Sequence, residues 1–471
     1  MELKKLDAIV ESMRNDIIKD TQEIIKIRSL EAPPSGPGRP FGDAVAASLE
    51  YALDVGKKLG LKVKNMDGYV GYAEYGQGEE MVSVLVHVDI VPEGDGWTHP
   101  PYGGEIHDGK IYGRGAVDNK GPAIAALYAV KALMESKVPV KRRVRVIIGA
   151  NEESGMKCMK HYKEHEEIPM CGFAPDADYP IINTEKGIMR FSLKKAFDSG
   201  EEGDVAILSV KGGTAPNSVP DYCEAELQAN HSGRHAIEES LAHMTNIQKF
   251  KMRLESQGDM VKVVSVGVSA HGSTPEQGQN AISQMMLFLN TLPLGANDQA
   301  AYISDYVRLI GMEYNGQSIG VEFSDELSGL LIFNVGIINM DQDSGEVVVN
   351  IRYPVAYTGQ QVVDGVKGAL VGTGITLEGL SDSKPHHVPE DHFLIKALSK
   401  VYEEMTGEPT RLIAIGGGTY ARTMPNSVAF GPGIPGRPDV AHKENENIPI
   451  EDLILNTKIN ARAIYELIKS E

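Results

Sequence analysis

Residues Met81–Asn119 read MVSVLVHVDIVPEGDGWTHPPYGGEIHDGKIYGRGAVDN, and the first third of this stretch decides the fold. Met81, Val82, Val84, Leu85, Val86 and Val88 form an almost unbroken β-branched and apolar run, the pattern of a parallel strand buried on both faces. His87 and Asp89 stand at its end. Two residues apart on an extended chain, they point to one face, so the carboxylate can hold one ring nitrogen and leave the other for a metal. Asp118 ends a second short extended piece as the candidate metal bridge, and Gly121-Pro122 then opens a helix, with proline suited to its first turn. A lone histidine at a strand end is more often a packed core or surface residue than a ligand, so the weight falls on what else reaches the same edge.

Working outward, an alanine- and leucine-rich helix over Pro122–Ser136 is followed by a strand, Arg143–Ala150, that runs straight into Asn151-Glu152-Glu153-Ser154. Strand, helix and strand in that order make a right-handed parallel unit, whose ligand sites lie beyond the carboxyl ends of the strands. Glu152 and Glu153 are therefore expected at the edge where His87 stands. Phe173–Pro180 brings a further carboxylate, Asp176, from a proline-bounded strand or loop. Upstream, Leu3, Leu6, Val10, Met13, Ile17, Ile24 and Ile27 recur at mostly three- and four-residue steps, which predicts one long amphipathic helix or two consecutive ones over 2–28. The proline- and glycine-rich 32–40 is a loop, helical spacing resumes at Val45–Leu59 with Gly60 as its cap, and two short strands precede Met81.

From 191 to 379 the texture changes to alternating strands (205–210, 261–269, 330–338, 346–353) and helices (233–245, 278–291, 359–370), read as an inserted α+β domain of two related halves. The chain then returns to the first domain with a helix over Leu394–Met405, the glycine turn at 416–419, His442, and a last helix over Ile450–Ile468. The expectation is an α/β protein: a catalytic domain of residues 1–190 plus 380–471 and an inserted domain of residues 191–379.

With 471 residues the chain exceeds one ordinary core, and 42% hydrophobic with 24% charged residues is the balance of a soluble globular protein. A formal net charge of -19 opposes nucleic acid; the basic Lys141–Arg145 segment reads as a solvated strand edge. Three cysteines, an odd number, do not make a disulfide framework. The N-terminus is not a secretory signal and no run of about 18 apolar residues occurs, so the expected place is the cytoplasm, with no membrane partner.

Read together, HVD at 87–89, GRGAVDNKG at 113–121, NEES at 151–154, PDADYP at 175–180 and the late His442 resemble the co-catalytic di-zinc peptidase family of aminoacylases, glutamate carboxypeptidases, desuccinylases and bacterial dipeptidases. GGTAPNSVPD at 212–221, HGSTPEQGQNA at 271–281, NIRYP at 350–354 and GGGTYAR at 416–422 look most like its PepV-type (Sapep-like) dipeptidases. The resemblance implies a zinc-peptidase-like α/β/α catalytic domain with an inserted α+β lid.

It also implies two divalent ions: His87 and Asp176 on one, Glu153 and His442 on the other, Asp118 on both, with room for a shared water. Zinc suits such nitrogen and oxygen donors, and manganese or cobalt could occupy them. Asp89 would orient His87, and Glu152, beside a ligand but not one itself, would be the general base acting on that water. By the same resemblance His271 and Asn217 would stabilise the oxyanion, Arg352 would clamp the substrate carboxylate, and the turn Gly416, Gly417, Gly418, Thr419 would offer it backbone amides. His99, His107, His386, His387 and His392 are left as surface or structural. The function implied is a metal-dependent dipeptidase acting on short peptides with a free C-terminal carboxylate in a cleft that closes between two domains. N-acyl- or N-succinyl-amino-acid deacylation and a non-catalytic binding protein are the alternatives. Because smaller relatives borrow the oxyanion histidine from a neighbour's lid, the larger insert, carrying His271 in the same chain, implies a monomer.

Overall fold

The structure, a computed structural model, describes residues 2–198, 200–257 and 260–469. The chain forms two compact units: 1–184 with 387–413 and 418–471, and 185–386 with 414–417.

The first unit opens with two helices, α1 (Glu2–Ser12) and α2 (Arg14–Ile25), broken at Met13, then α3 (Asp43–Lys58). Strands β1 (Lys62–Met66), β2 (Val70–Tyr75) and β3 (Met81–His87) follow, then a small hairpin, β4 (Glu105–His107) and β5 (Lys110–Tyr112). Next come α4 (Lys120–Ser136), β6 (Arg143–Gly149), α5 (Lys157–His165), β7 (Cys171–Ala174), β8 (Ala177–Asp178) and β9 (Ile181–Glu185). The main sheet runs β1, β2, β6, β3, β7, the strand Ser427–Ala429, then β9. Its centre is parallel, with Val84 opposite Val146 on one side and Phe173 on the other. Every residue of β3 is buried, as its unbroken apolar run requires.

One face of this sheet carries α1–α4 and the helix Ile450–Ile468, whose apolar sides share one core. Within it α4 is apolar nearly all round and buried nearly all round, the expected fate of a helix without a polar face. The other face is covered by Cys158, Met159 and Tyr162 of α5 with Tyr420, Ala421 and Met424, which completes an α/β/α sandwich.

One expectation is corrected. The Lys141–Arg145 segment is not a solvated edge, because β6 lies between β2 and β3. Arg145 is 3% exposed, donates to Glu74 Oε2 from Nε at 2.9 Å and Nη2 at 2.6 Å, and lies 3.8 Å above the Tyr72 ring.

The second unit is built on one eight-stranded antiparallel sheet, ordered 251–257, 260–266, 222–229, 205–212, 332–340, 344–353, 187–196, 376–383. Helices at 231–246, 281–289, 298–309 and 359–369 contribute to its core. The strands 187–196, 222–229, 251–257 and 376–383 and the helix 298–309 add to the elements expected from sequence. Tyr222–Ala229 alternates exposed and buried but does so with Glu, Ala and Gln, residues of weak strand propensity. Thr376–Ser383 is a polar edge strand, exposed along most of its length.

Candidate metal centre

Beyond the carboxyl ends of β3, β6 and β7, three loops bring their side chains to one place, as open parallel sheets do. His87 closes β3 with its ring fully buried. Its Nε2 lies 3.0 Å from Asp118 Oδ1 and 3.3 Å from Asp176 Oδ1. The other oxygen of Asp118, Oδ2, lies 3.0 Å from His442 Nε2, which is 3.1 Å from Glu153 Oε1. The donors thus form two groups, His87–Asp118–Asp176 and Asp118–Glu153–His442, with the atoms of each within 4.8 Å of one another. A tetrahedral ion at ~2.1 Å from its ligands leaves neighbouring donors roughly 3.4 Å apart, close to these separations. Asp118 alone belongs to both groups and turns one oxygen to each.

The charges point the same way. Burial, with the like charges of Asp118 and Glu153 outweighing the pull of His87, pushes Asp176 up to about 6. Burial and the charge of Asp176 push Glu152 well above the carboxylate range. Contacts with Asp118 and Glu153 raise His442 to about 11. Burial works against a charged His87, yet Asp176, Asp118 and Asp89 outweigh it and hold the ring well above its ordinary value. Four carboxylates packed out of water need countercharge, and two divalent ions on this donor set would supply it.

The surrounding residues set the geometry. His87 Nδ1 meets the backbone oxygen of Asp89 at 3.1 Å, with the Asp89 carboxylate at 3.5 Å. That carboxylate accepts the backbone N–H groups of Glu152 and Glu153, each at 3.0 Å, so Asp89 fixes the Glu-Glu turn as well as facing His87. Glu152 belongs to neither donor group.

Asn119 escaped the sequence reading. Its Nδ2 donates to Pro175 O at 2.6 Å and Asp176 Oδ1 at 2.8 Å, and its Oδ1 accepts His87 N–H at 3.3 Å. An asparagine in front of a helix reads as a cap; this one caps nothing with its side chain and ties two ligand loops together instead. A cavity of about 580 Å³ adjoins Asp118 and Asp176, lined also by Asp178, Ile413 and the 432–441 loop, and is large enough for a small ligand.

A third group, His99, Glu105 and His107, also has its donor atoms within 4.8 Å. Its two imidazoles are stacked, 4.0 Å between centroids and 12° between planes, so their in-plane lone pairs run side by side and do not converge.

The second unit gathers its own set. Ser273 N–H donates to His271 Nδ1 at 3.2 Å, with Ser273 Oγ at 2.5 Å. Nδ1 is therefore an acceptor, and a neutral ring carries its proton on Nε2. Burial and the charge of Arg352 lower the His271 pKa, which favours that neutral form. The Asn217 carbonyl accepts from Gly272 N–H at 2.7 Å, fixing the His271 turn through its backbone. Arg352, 5% exposed, donates from Nε to Asn350 Oδ1 and from Nη1 to Gly416 O, both at 3.0 Å. Gly416 packs on Ser273, whose Cβ would stand 3.0 Å from a Cβ added there. Gly417 also falls in this unit, while Gly418 and Thr419 fall in the first, where Thr419 Oγ1 caps a short helix by accepting Ala421 N–H at 3.2 Å.

Comparison with known proteins bears on the chain as a whole. The sequence pattern of peptidase family M20/M25/M40 matches residues 84–466. The chain is 42% identical to the Bacillus subtilis (strain 168) protein named "Putative dipeptidase YtjP" over 465 residues, 97% of this chain and 98% of that one. Its fold is similar to the crystal structure of human carnosine dipeptidase 1, with TM-score 0.59 and 17% identity, covering 100% of this chain and 99% of that chain. It is also similar to the Bacillus subtilis YXEP protein, described as a dinuclear metal binding peptidase, with TM-score 0.50 and 12% identity over 98% of this chain and 100% of that one.

Proposed function

The chain belongs to peptidase family M20/M25/M40, and on that premise we propose that it is a metal-dependent dipeptidase, hydrolysing the amide bond of short peptides with a free C-terminal carboxylate. The observation that carries this reading is Asp118, whose two oxygens each lie 3.0 Å from a different histidine and belong to two separate donor groups. Two divalent ions held there would polarise the scissile carbonyl and make water nucleophilic near neutral pH. Zinc is the proposed metal on the strength of the nitrogen and oxygen donors, with manganese or cobalt able to use the same set.

Glu152 is assigned the general base: it stands beside Glu153 with its backbone fixed by Asp89 and its carboxylate uncommitted to either donor group. It takes a proton from the attacking water and passes it to the leaving amine. His271 is assigned the oxyanion donor, supported by the Nε2 proton that its Ser273 contacts leave available. Arg352 is assigned the clamp on the substrate carboxylate, its guanidinium held by Asn350 and Gly416. Asn217 supports the His271 turn, and Gly416, Gly417, Gly418 and Thr419 are assigned carboxylate contacts by resemblance alone. With His271 in the same chain, the enzyme is proposed to act as a monomer. Three free, buried thiols support the cytoplasm as its place.

The test is hydrolysis of one dipeptide and its N-acetylated twin, before and after chelation and with zinc or manganese restored. Cleavage of the free dipeptide, lost on chelation and regained with metal, is expected. Preference for the acetylated twin would move the assignment to deacylation, and no metal-dependent cleavage of either would overturn the enzymatic reading.

A further inference from the structure

Asp118 and His442 meet at 3.0 Å across 324 residues of chain, and one buried ion pair joins the two segments that carry them. Four residues past His442, Glu446 is fully buried. Its Oε1 accepts the backbone N–H groups of Val117 at 3.0 Å and Asp118 at 3.1 Å. Its Oε2 accepts Arg114 Nη1 at 2.7 Å, and its own carbonyl accepts Gly113 N–H at 2.9 Å. Arg114, 1% exposed, donates from Nη2 to the carbonyls of Pro92 and Glu93, both at 3.2 Å.

We infer that Glu446, seated by Arg114, is a positioning residue that sets the bridging carboxylate of Asp118 against His442. The inference rests on the two-metal reading above. A carboxylate is suited to this work because it accepts two adjacent amides on one oxygen and a guanidinium on the other. An amide side chain has a single acceptor oxygen and must leave either the backbone pair or Arg114 without a partner. A bridging ligand also has to satisfy two ions at once, so a small shift of its backbone is felt at both.

A merely structural ion pair would predict something different, and Arg145–Glu74 provides the control: it too is buried, it lies within the sheet, and the side-chain hydrogen bonds of Arg145 go to Glu74, Tyr162, Glu166 and Glu167, none of them a proposed metal ligand. The experiment measures zinc affinity of the metal-free protein by competition with a chelating dye, without substrate, for wild type, Glu446→Gln, Glu446→Ala and Arg145→Met, with the thermal midpoint of each metal-free form alongside. Both Glu446 variants are expected to bind zinc about 10–100-fold more weakly, while folded Arg145→Met stays within twofold of wild type despite a lower midpoint. Should the alanine variant not fold, the glutamine variant carries the test. Glu446 variants that bind zinc within twofold of wild type would overturn the positioning role while leaving the metal reading intact. A wild-type protein that takes up no zinc or manganese would overturn both.

Discussion

Replacing Glu152 with glutamine removes a proton acceptor and leaves the rest of the centre in place. The side chain keeps its size, the backbone N–H still reaches Asp89 Oδ1 at 3.0 Å, and neither donor group loses an atom. A positioned general base contributes ~10²–10⁴ in rate, which at 1.36 kcal/mol per tenfold is about 3–5 kcal/mol of barrier. Steady-state hydrolysis of a dipeptide should show kcat lower by at least two decades, while elemental analysis finds metal content near that of wild type. The acid limb of the pH–rate profile should change as well, because burial and the neighbouring Asp176 raise the Glu152 pKa, bound cations lower it, and glutamine does not ionise. A variant retaining more than half its activity would refute the role. Loss of metal in step with activity would make Glu152 a ligand.

Zinc binding should release protons, because carboxylate neighbours raise the pKa of His87 against its burial and that of His442 up to about 11 in the metal-free protein. Affinity should therefore rise with pH, and calorimetry in buffers of different ionisation enthalpy should detect proton release on binding. His271→Ala should lower kcat by ~10²–10³ with zinc content unchanged, as loss of an oxyanion donor does; unchanged kcat would remove the histidine from that role. Arg145→Met should lower unfolding free energy by about 3–5 kcal/mol, since it leaves Glu74 buried with much of its countercharge gone. A cost below 1 kcal/mol in urea unfolding would contradict that burial.

The parts of the fold written in unbroken patterns were legible. The apolar run before His87 is an internal parallel strand, the Ala/Leu segment after Asp118 is a buried helix, and the last helix spans Ile450–Ile468. Each is decided by its own composition. Strands such as Tyr222–Ala229 and Thr376–Ser383 were not legible, since neighbours across the sheet, and not intrinsic propensity, hold them. Arg145 misled for a related reason. A basic residue signals solvent until a partner is known, and Glu74 stands 71 positions away.

The centre divides in the same manner. His87, Asp118, Glu153, Asp176 and His442 were singled out by the order of short motifs, and the structure brings these five side chains together. Asn119 and Glu446 carried no such mark. The first looks like a helix cap and the second like one acid among several in a polar loop, and what each does depends on loops distant in sequence.

The most direct measurement is titration of the chelated protein with zinc, following heat and dipeptide hydrolysis together. Two ions sharing Asp118 predict activity that is complete only at two equivalents per chain and is lost in Asp118→Ala. Full activity at one equivalent, or in Asp118→Ala, would contradict the shared-carboxylate centre.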